Sequence, residues 1–415
     1  MASSARATVP QAKQARILSI DLLRGLDVLL MLFVNEMAGV NGTPAFLRHT
    51  DPSADGMTIT DVVFPAFLFI VGMAIPIALG GRVRRGEPLG SIARHVLTRG
   101  AALLVIGVLM VSSEEARPDA LLSPHLWNVL MTIGVILAWQ ELGPGEGRGR
   151  RRALRLAGAA LLVLLVFAFR SQEATGLIQI RPSWWGILGL IGWAYLVASA
   201  IYLLVGERPA VLAGAVALLY CLYLADAAGH AAWLAPVRPF VSVGSVLGSH
   251  AAIVVSGVLL TLLVRRHQGD PGRLIREALG FALALAVAAL LLHHLRDLDQ
   301  AFWYHKNHAS VPWCLLASTW TALAWVALYW IVDVKGFRRW PRLVQVAGEN
   351  PLLAYLLAPL LLSLFVLSAP LFGGVNPYGA LGETLFVGTL RSLVFVVAVV
   401  ALCAGLRRAG VHVRL

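Results

Sequence analysis

The chain runs to 415 residues, of which 58% are hydrophobic and only 13% charged, about half the charged share of an ordinary soluble domain. That composition excludes a soluble globular enzyme. Apolar runs of about 20 residues recur along the chain, each long enough to cross a hydrocarbon core. In lipid the backbone must satisfy its own hydrogen bonds, so these runs predict an all-α, polytopic transmembrane helix bundle. A net charge of +12 could suit nucleic acid, but the basic residues sit in short clusters between apolar runs. That is the positive-inside pattern, so the partner is the bilayer and no nucleic acid is expected.

In chain order, Met1–Ala15 reads as a polar cytoplasmic tail, part of a segment 1–16. It is not a signal peptide: the apolar run that follows is too long, holds Asp21, Arg24 and Asp27, and lacks a small-residue cleavage pattern. Spans are expected at 17–40, 59–80, 98–112, 125–140, 153–169, 185–205, 210–226, 245–264, 278–295, 313–333, 343–368 and 384–405, with a tail at 406–415. The count is about twelve (10–12), because only Gly206–Pro209 joins the sixth and seventh. With the N-terminus inside, alternate loops and both tails hold most of the 34 Lys and Arg. Both termini are thus cytoplasmic, and loops 41–58, 113–124, 171–184, 227–244, 296–312 and 369–383 face out. Gly143–Gly149 lacks the ending and strand-to-helix context of a phosphate loop and reads as a flexible cytoplasmic turn. Cys221, Cys314 and Cys403 show neither a disulfide framework nor metal spacing. His293, His294, His305 and His308, near Asp297 and Asp299, lack a metal-ligand motif, and no metal is expected.

The first two spans hold the polar residues that most need a reason, since a charge at membrane depth costs about 2.5–3.5 kcal/mol on insertion scales. Ser19, Asp21 and Arg24 are read either as a helix start, with Asp21 and Arg24 paired at i, i+3, or with Arg24 meeting the phosphates of a cytoplasmic ligand. Asn35 lies about 27 Å along the first helix from Ile17. Asp61 opens the second helix, and His49 lies in the loop between them. All three therefore fall at one membrane level. A histidine there can exchange a proton near neutral pH, a carboxylate can hold its tautomer, and an amide can polarise a carbonyl. The alternative is a solvated loop histidine with Asp61 as a helix cap. His250, at the outer start of a span, lines a pocket or is merely interfacial. Trp184, Trp185, Trp303 and Trp313 fit an aromatic belt, a sugar platform, or both.

SIDLLRG, FVN, RHT and GMTITDVVFPAFLFIVGMAI, read in order from Ser19 to Ile75, resemble the signature of the heparan-alpha-glucosaminide N-acetyltransferase family, a group of transmembrane acyltransferases. KNHASVPWCLLAS and, further on, VDVKGFRRWPRLVQVAGENPLLAY resemble its second landmark. RPSWWGILGLIGWAYL is similar to bacterial relatives. The resemblance implies transfer of an acetyl group from cytoplasmic acetyl-CoA to a terminal glucosamine-like amino sugar on the extracytoplasmic side. It implies a catalytic His49, with Asn35 and Asp61 at the matching positions. It also implies donor binding by Lys306, Asn307 and Asn350 and an acceptor contact at Tyr355, which match a Lys-Asn pair and a late asparagine and tyrosine of the family, with a bacterial inner-membrane location without the animal lumenal domain and a homodimer. From their places in the chain, Arg24 and Asp21 are expected at the donor, and His250 and Trp303 at the acceptor. Three departures bear on the acceptor. A GVLQR motif reads Asn128-Val129-Leu130-Met131-Thr132 here, a Pro-Glu-Gly-like stretch becomes Gly244 to His250, and a late histidine is Ala358. Two other function classes fit the same residues: a transporter or flippase for a small glycan or lipid, and an O-acyltransferase of envelope glycans or one using a longer acyl chain.

Overall fold

The computed structural model describes residues 17–413 apart from 121, 142–146, 173–175 and 341. The predicted N-terminal tail and much of the Gly143–Gly149 turn lie outside the described residues. The rest is helical: α1 (Leu18–Met37), α2 (Ile59–Arg84), α3 (Leu89–Glu115), α4 (Pro124–Trp139), α5 (Arg148–Ala168), α6 (Ile187–Val205), α7 (Pro209–Ala227), α8 (Ala251–Arg266), α9 (Pro271–His293), α10 (Val311–Tyr329), α11 (Arg342–Glu349), α12 (Pro351–Ser368) and α13 (Leu385–Arg408). A π-helical turn, Val243–His250, leads into α8, and another, Trp330–Val334, closes α10. Among the described residues, the extended structure is a two-residue antiparallel pairing of Gln140–Glu141 with His412–Val413, together with a single bridge from Ala116 to Ser171. The protein is an all-α multi-pass membrane bundle.

Proline marks several starts. Pro124, Pro209, Pro271 and Pro351 stand in the first turns of α4, α7, α9 and α12, where the missing N–H costs nothing. Nine helices are long and apolar enough to span a membrane among the described residues. The first, fourth and fifth predicted spans fall outside that set for readable reasons. α1 carries Asp21, Arg24, Asp27 and Glu36, α4 is 16 residues long, and α5 opens on an arginine run. Two predicted boundaries are corrected. The span expected at 343–368 is two helices, α11 and α12, broken at Asn350, because Pro351 cannot donate to the preceding turn. The short third span is the 27-residue α3, about 40 Å long, which therefore carries Arg94 and Arg99 within the helix.

The centre of the bundle is α8, whose spanning window is 89% buried, against 22% for α7 and 28% for α9 at the periphery. Glycines allow the central helices to touch. A Cβ on Gly72 of α2 would collide with the Val254 carbonyl of α8, and one on Gly257 of α8 with the Phe69 carbonyl of α2. Gly25 of α1 and Gly348 of α11 make the same reciprocal contact, against Val344 and Asp21. Close backbone approach of this kind replaces the hydrophobic driving force that lipid removes. Pro76 interrupts the α2 ladder nearby, and Thr261 of α8 donates to the Met73 carbonyl at 2.9 Å.

The bundle has two unlike ends. One gathers the start of α1, the end of α2 and the π-turn after α10, with Arg84 and Arg265 sharing Glu207 and the Ser19 N–H donating to Asp333 at 3.2 Å. The other gathers the end of α1, the start of α2 and the segment before α10. The first is called here the arginine-rich end, the second the histidine end.

Candidate functional site: a histidine–carboxylate centre at the head of an internal passage

At the histidine end, Asp61 stands in the first turn of α2 with its carboxylate 1% exposed. Its Oδ1 lies 2.7 Å from His49 Nδ1. Its Oδ2 accepts from the backbone N–H groups of Thr50 and Thr58, both at 3.1 Å, and from their hydroxyls at 2.9 and 3.1 Å. The sequence dictates much of this. Thr58 and Asp61 occupy the N-cap and third helical positions, where a side chain satisfies an orphan backbone donor, and Thr50 follows His49 directly. With one carboxylate oxygen committed to two backbone donors, the other fixes the imidazole. Nδ1 carries the proton, and Nε2 is left with its lone pair. His49 itself is 46% exposed.

A third group completes the centre. Lys306 Nζ lies 3.0 Å from Nδ1 and 3.2 Å from Nε2 of His49, and 3.9 Å from Asp61 Oδ1. It is delivered by the segment between α9 and α10, which is clamped onto the His49 loop. Tyr304 N–H donates to Asp55 at 2.7 Å, and Gly56 N–H donates to Tyr304 O at 3.1 Å. His305 Nε2 lies 2.6 Å from Pro52 O, and His293 stacks on Tyr304 with centroids 3.9 Å apart. Burial pushes the Lys306 ammonium below its ordinary value, and the nearby Asp61 charge opposes that shift.

Three cavities that share lining residues lie between this centre and the arginine-rich end. The first, about 390 Å³, is lined by Arg24, Arg99, Glu349 and Asn350 at the arginine-rich end and by Met31 and Tyr355 further in. The second, about 310 Å³, is lined by Asn35, Glu36, Glu114, Asn128, Tyr355 and Trp185. The third, about 720 Å³, holds Asn35, His49, Lys306 and Asn307 with Trp184, Trp185 and His250. Ile187 lines all three, Tyr355 the first two, and Asn35 and Trp185 the last two. Arg24 and Asn35, on the same helix, are about 16 Å apart along its axis.

The structure thus brings Asn35, His49, Lys306, Asn307 and His250 to one cavity and Arg24, Asn350 and Tyr355 to another. Asp61 stands behind His49. Asp21 lines a separate recess with Asp333 and Arg338 and pairs with Arg24 at 3.4 Å. Trp303 is not among the residues lining the three cavities. Its indole N–H donates to Arg296 O at 2.9 Å, so it braces the Lys306 segment. His250 is 5% exposed, edge-on to Phe64 with centroids 5.4 Å apart, and its Nδ1 has no partner. Asn128 donates to Pro359 O and Ser363 Oγ at 3.0 and 2.9 Å. Among the described residues, no cluster of histidine, cysteine and carboxylate groups has metal-holding geometry.

Sequence reasoning did not single out Arg99 as a lining residue, although the span expected at 98–112 includes it. It lies over the Tyr195 ring at 5.2 Å, and its Nε is buried without a partner. The contact between Lys306 and His49 had no local signal at all.

This architecture defines a class: a multi-pass helical membrane protein with a carboxylate-held histidine lining an internal cavity. Residues 16–115 match the family model described as heparan-alpha-glucosaminide N-acetyltransferase, catalytic. The matched segment contains Arg24, Asn35, His49, Asp61 and Arg99. Similar proteins include the heparan-alpha-glucosaminide N-acetyltransferases of Mus musculus, 32% identical over 128 residues, and of Homo sapiens, 31% identical over 128 residues. The shared stretch is 31% of this chain and 18% and 17% of those two relatives, respectively. The chain thus spans less than a fifth of the length of the curated relatives it matches.

Proposed function

We propose that this protein is a transmembrane acetyltransferase. It takes an acetyl group from cytoplasmic acetyl-CoA and delivers it to a terminal glucosamine-like amino sugar on the opposite face of a bacterial plasma membrane. The observation that carries this reading is the run of three adjoining cavities from Arg24, Arg99 and Asn350 to His49. A long, thin donor with phosphates at one end and a thioester at the other fits a passage that is basic at one end and catalytic at the other. The arginine clusters support a cytoplasmic setting for the arginine-rich end.

In this mechanism Arg24 and Arg99 hold the donor's phosphates, as guanidinium groups do well. The buried, unpartnered Nε of Arg99 supports that role, because a buried donor is costly until it is satisfied. The thioester reaches the third cavity, where Asn35 donates to its carbonyl oxygen as negative charge develops. The acceptor binds against Trp184 and Trp185, with Asn307 and His250 available to its hydroxyls. His49 Nε2 takes a proton from the acceptor nitrogen as that nitrogen attacks the acetyl carbon. The C–N bond forms, the C–S bond breaks, and the departing thiolate recovers the proton from His49. Asp61 holds the imidazole in the competent tautomer and stabilises its cationic form.

The test uses purified protein in nanodiscs with acetyl-CoA and glucosamine. Saturable acetyl-CoA binding, N-acetylglucosamine formation and loss of turnover in His49→Gln with binding retained are expected. Turnover that survives His49→Gln at the wild-type rate refutes the reading.

A further inference from the structure

We propose that Lys306 is itself an acetyl acceptor: when no sugar is bound, the centre transfers the acyl group of its thioester donor to the Lys306 amine and so closes its own site. This inference rests on the acetyl-transfer reading above.

The argument starts from where the amine sits. Nζ is 3.0 and 3.2 Å from the two ring nitrogens of His49 and shares the third cavity with Asn35. It therefore lies over the imidazole face, within 3.2 Å of Nε2 and beside the space into which an acceptor amine must come. Lysine carries the same nucleophilic group as an amino sugar, a primary amine. It is held at general-base distance from the residue that deprotonates the natural acceptor. The effective concentration of a group fixed in this way exceeds that of any diffusing acceptor. Burial favours the neutral, nucleophilic form of the amine. Clamping of the segment by Asp55, Gly56 and Pro52 keeps the amine there rather than in solvent.

The step balances without an added co-reactant beyond the acyl thioester. His49 takes a proton from the amine, the nitrogen attacks the carbonyl carbon, the C–N bond forms, and the C–S bond breaks. The proton passes from His49 to the thiolate. The ammonium first gives one proton to solvent, the amine gives the second through His49 to the thiolate, and the product is a neutral amide. The positive charge 3.9 Å from Asp61 Oδ1 is thereby lost, and an acetyl group stands against the imidazole, so the modified enzyme cannot seat an acceptor. Bound sugar competes for the same space, so acceptor protects the enzyme.

Composition makes the test clean. The chain has three lysines, Lys13, Lys306 and Lys335, and Lys335 lies at the arginine-rich end, over the Trp330 ring. Purified full-length protein is incubated with acetyl-CoA, with or without glucosamine, treated with hydroxylamine to strip labile acyl-imidazole, and mapped by peptide mass spectrometry. The expected result is a hydroxylamine-stable acetyl group on Lys306, at least about tenfold above that on Lys335. It should build up with time, fall when glucosamine is present, and be absent from His49→Gln protein that still binds acetyl-CoA. Turnover assayed after donor-only preincubation should fall in step with the modification. An unmodified Lys306 in a preparation that acetylates glucosamine overturns the inference and leaves the acetyltransferase reading standing, as does equal modification in His49→Gln. A preparation that neither binds acetyl-CoA nor acetylates glucosamine overturns both.

Discussion

Asp61→Asn isolates the tautomer argument, because the substitution keeps size and shape and changes only which atoms donate. The Oδ2 position accepts two backbone N–H groups, from Thr50 and Thr58. An amide NH₂ there would face two donors, so the asparagine must put its oxygen on that side. Its NH₂ then faces His49 Nδ1, the atom that lies 2.7 Å from the native carboxylate. The imidazole satisfies this donor only by moving its proton to Nε2, and the lone pair facing the cavity is lost. General acid–base catalysis contributes about 10²–10⁴-fold, so kcat should fall by that factor, or about 3–5 kcal/mol of barrier. The KM for acetyl-CoA should change little, because no donor contact is touched. Steady-state kinetics in nanodiscs, with acetyl-CoA affinity measured separately, supply both numbers. A kcat within about threefold of wild type, with the protein folded and donor affinity intact, would refute the reasoning.

Arg99→Gln should raise the KM for acetyl-CoA by about 10–100-fold, the loss of a charge-assisted hydrogen bond, while leaving kcat/KM for acetyl-pantetheine, which lacks the nucleotide phosphates, close to wild type. Comparing the two donors in one initial-rate assay checks this. Lys306 makes stability depend on alkaline pH with a defined sign. Its folded pKa is lowered, so between that value and the ordinary lysine range the unfolded chain holds more protons, and stability rises with pH. Lys306→Met should lack this rise, which thermal unfolding in detergent across the alkaline range would measure. Gly72→Leu should destabilise the bundle by about 1–3 kcal/mol or more, the usual cost of overpacking, because a Cβ there meets the Val254 carbonyl. Fluorescence-detected size exclusion after heating reads that loss.

The parts of the site legible in the sequence were those set by local geometry. A helical rise of about 1.5 Å per residue puts Asn35 and Asp61 at one level, and a short loop carries His49 between them. The Thr58–Asp61 cap follows from residue types at N-cap spacing. Lys306 was different. Its contact with His49 joins residues 257 positions apart, and no periodicity encodes which loop folds over which. Its match to a family pair suggests donor binding, and the fold sets it beside the His49 ring. The break at Asn350 was hidden because Leu343, Val344, Val346 and Ala347 of the amphipathic α11 run on into the apolar stretch after Pro351. Trp303 looked equivalent to Trp184 and Trp185 as an aromatic near an interface. Only the packing shows that Trp303 braces a loop while the other two wall a cavity. Arg99 was obscured by its neighbours, since a hydropathy reading groups it with the arginines that sit outside the bilayer.

The central claim is that one passage joins a donor on one side of the membrane to a histidine centre on the other. Sealed proteoliposomes test it most directly, with glucosamine trapped inside and membrane-impermeant acetyl-CoA added only outside. The account predicts lumenal N-acetylglucosamine from the molecules whose arginine-rich end faces out, with no acetyl-CoA entering the lumen. Acetylation that occurs only when donor and acceptor share a compartment would contradict it.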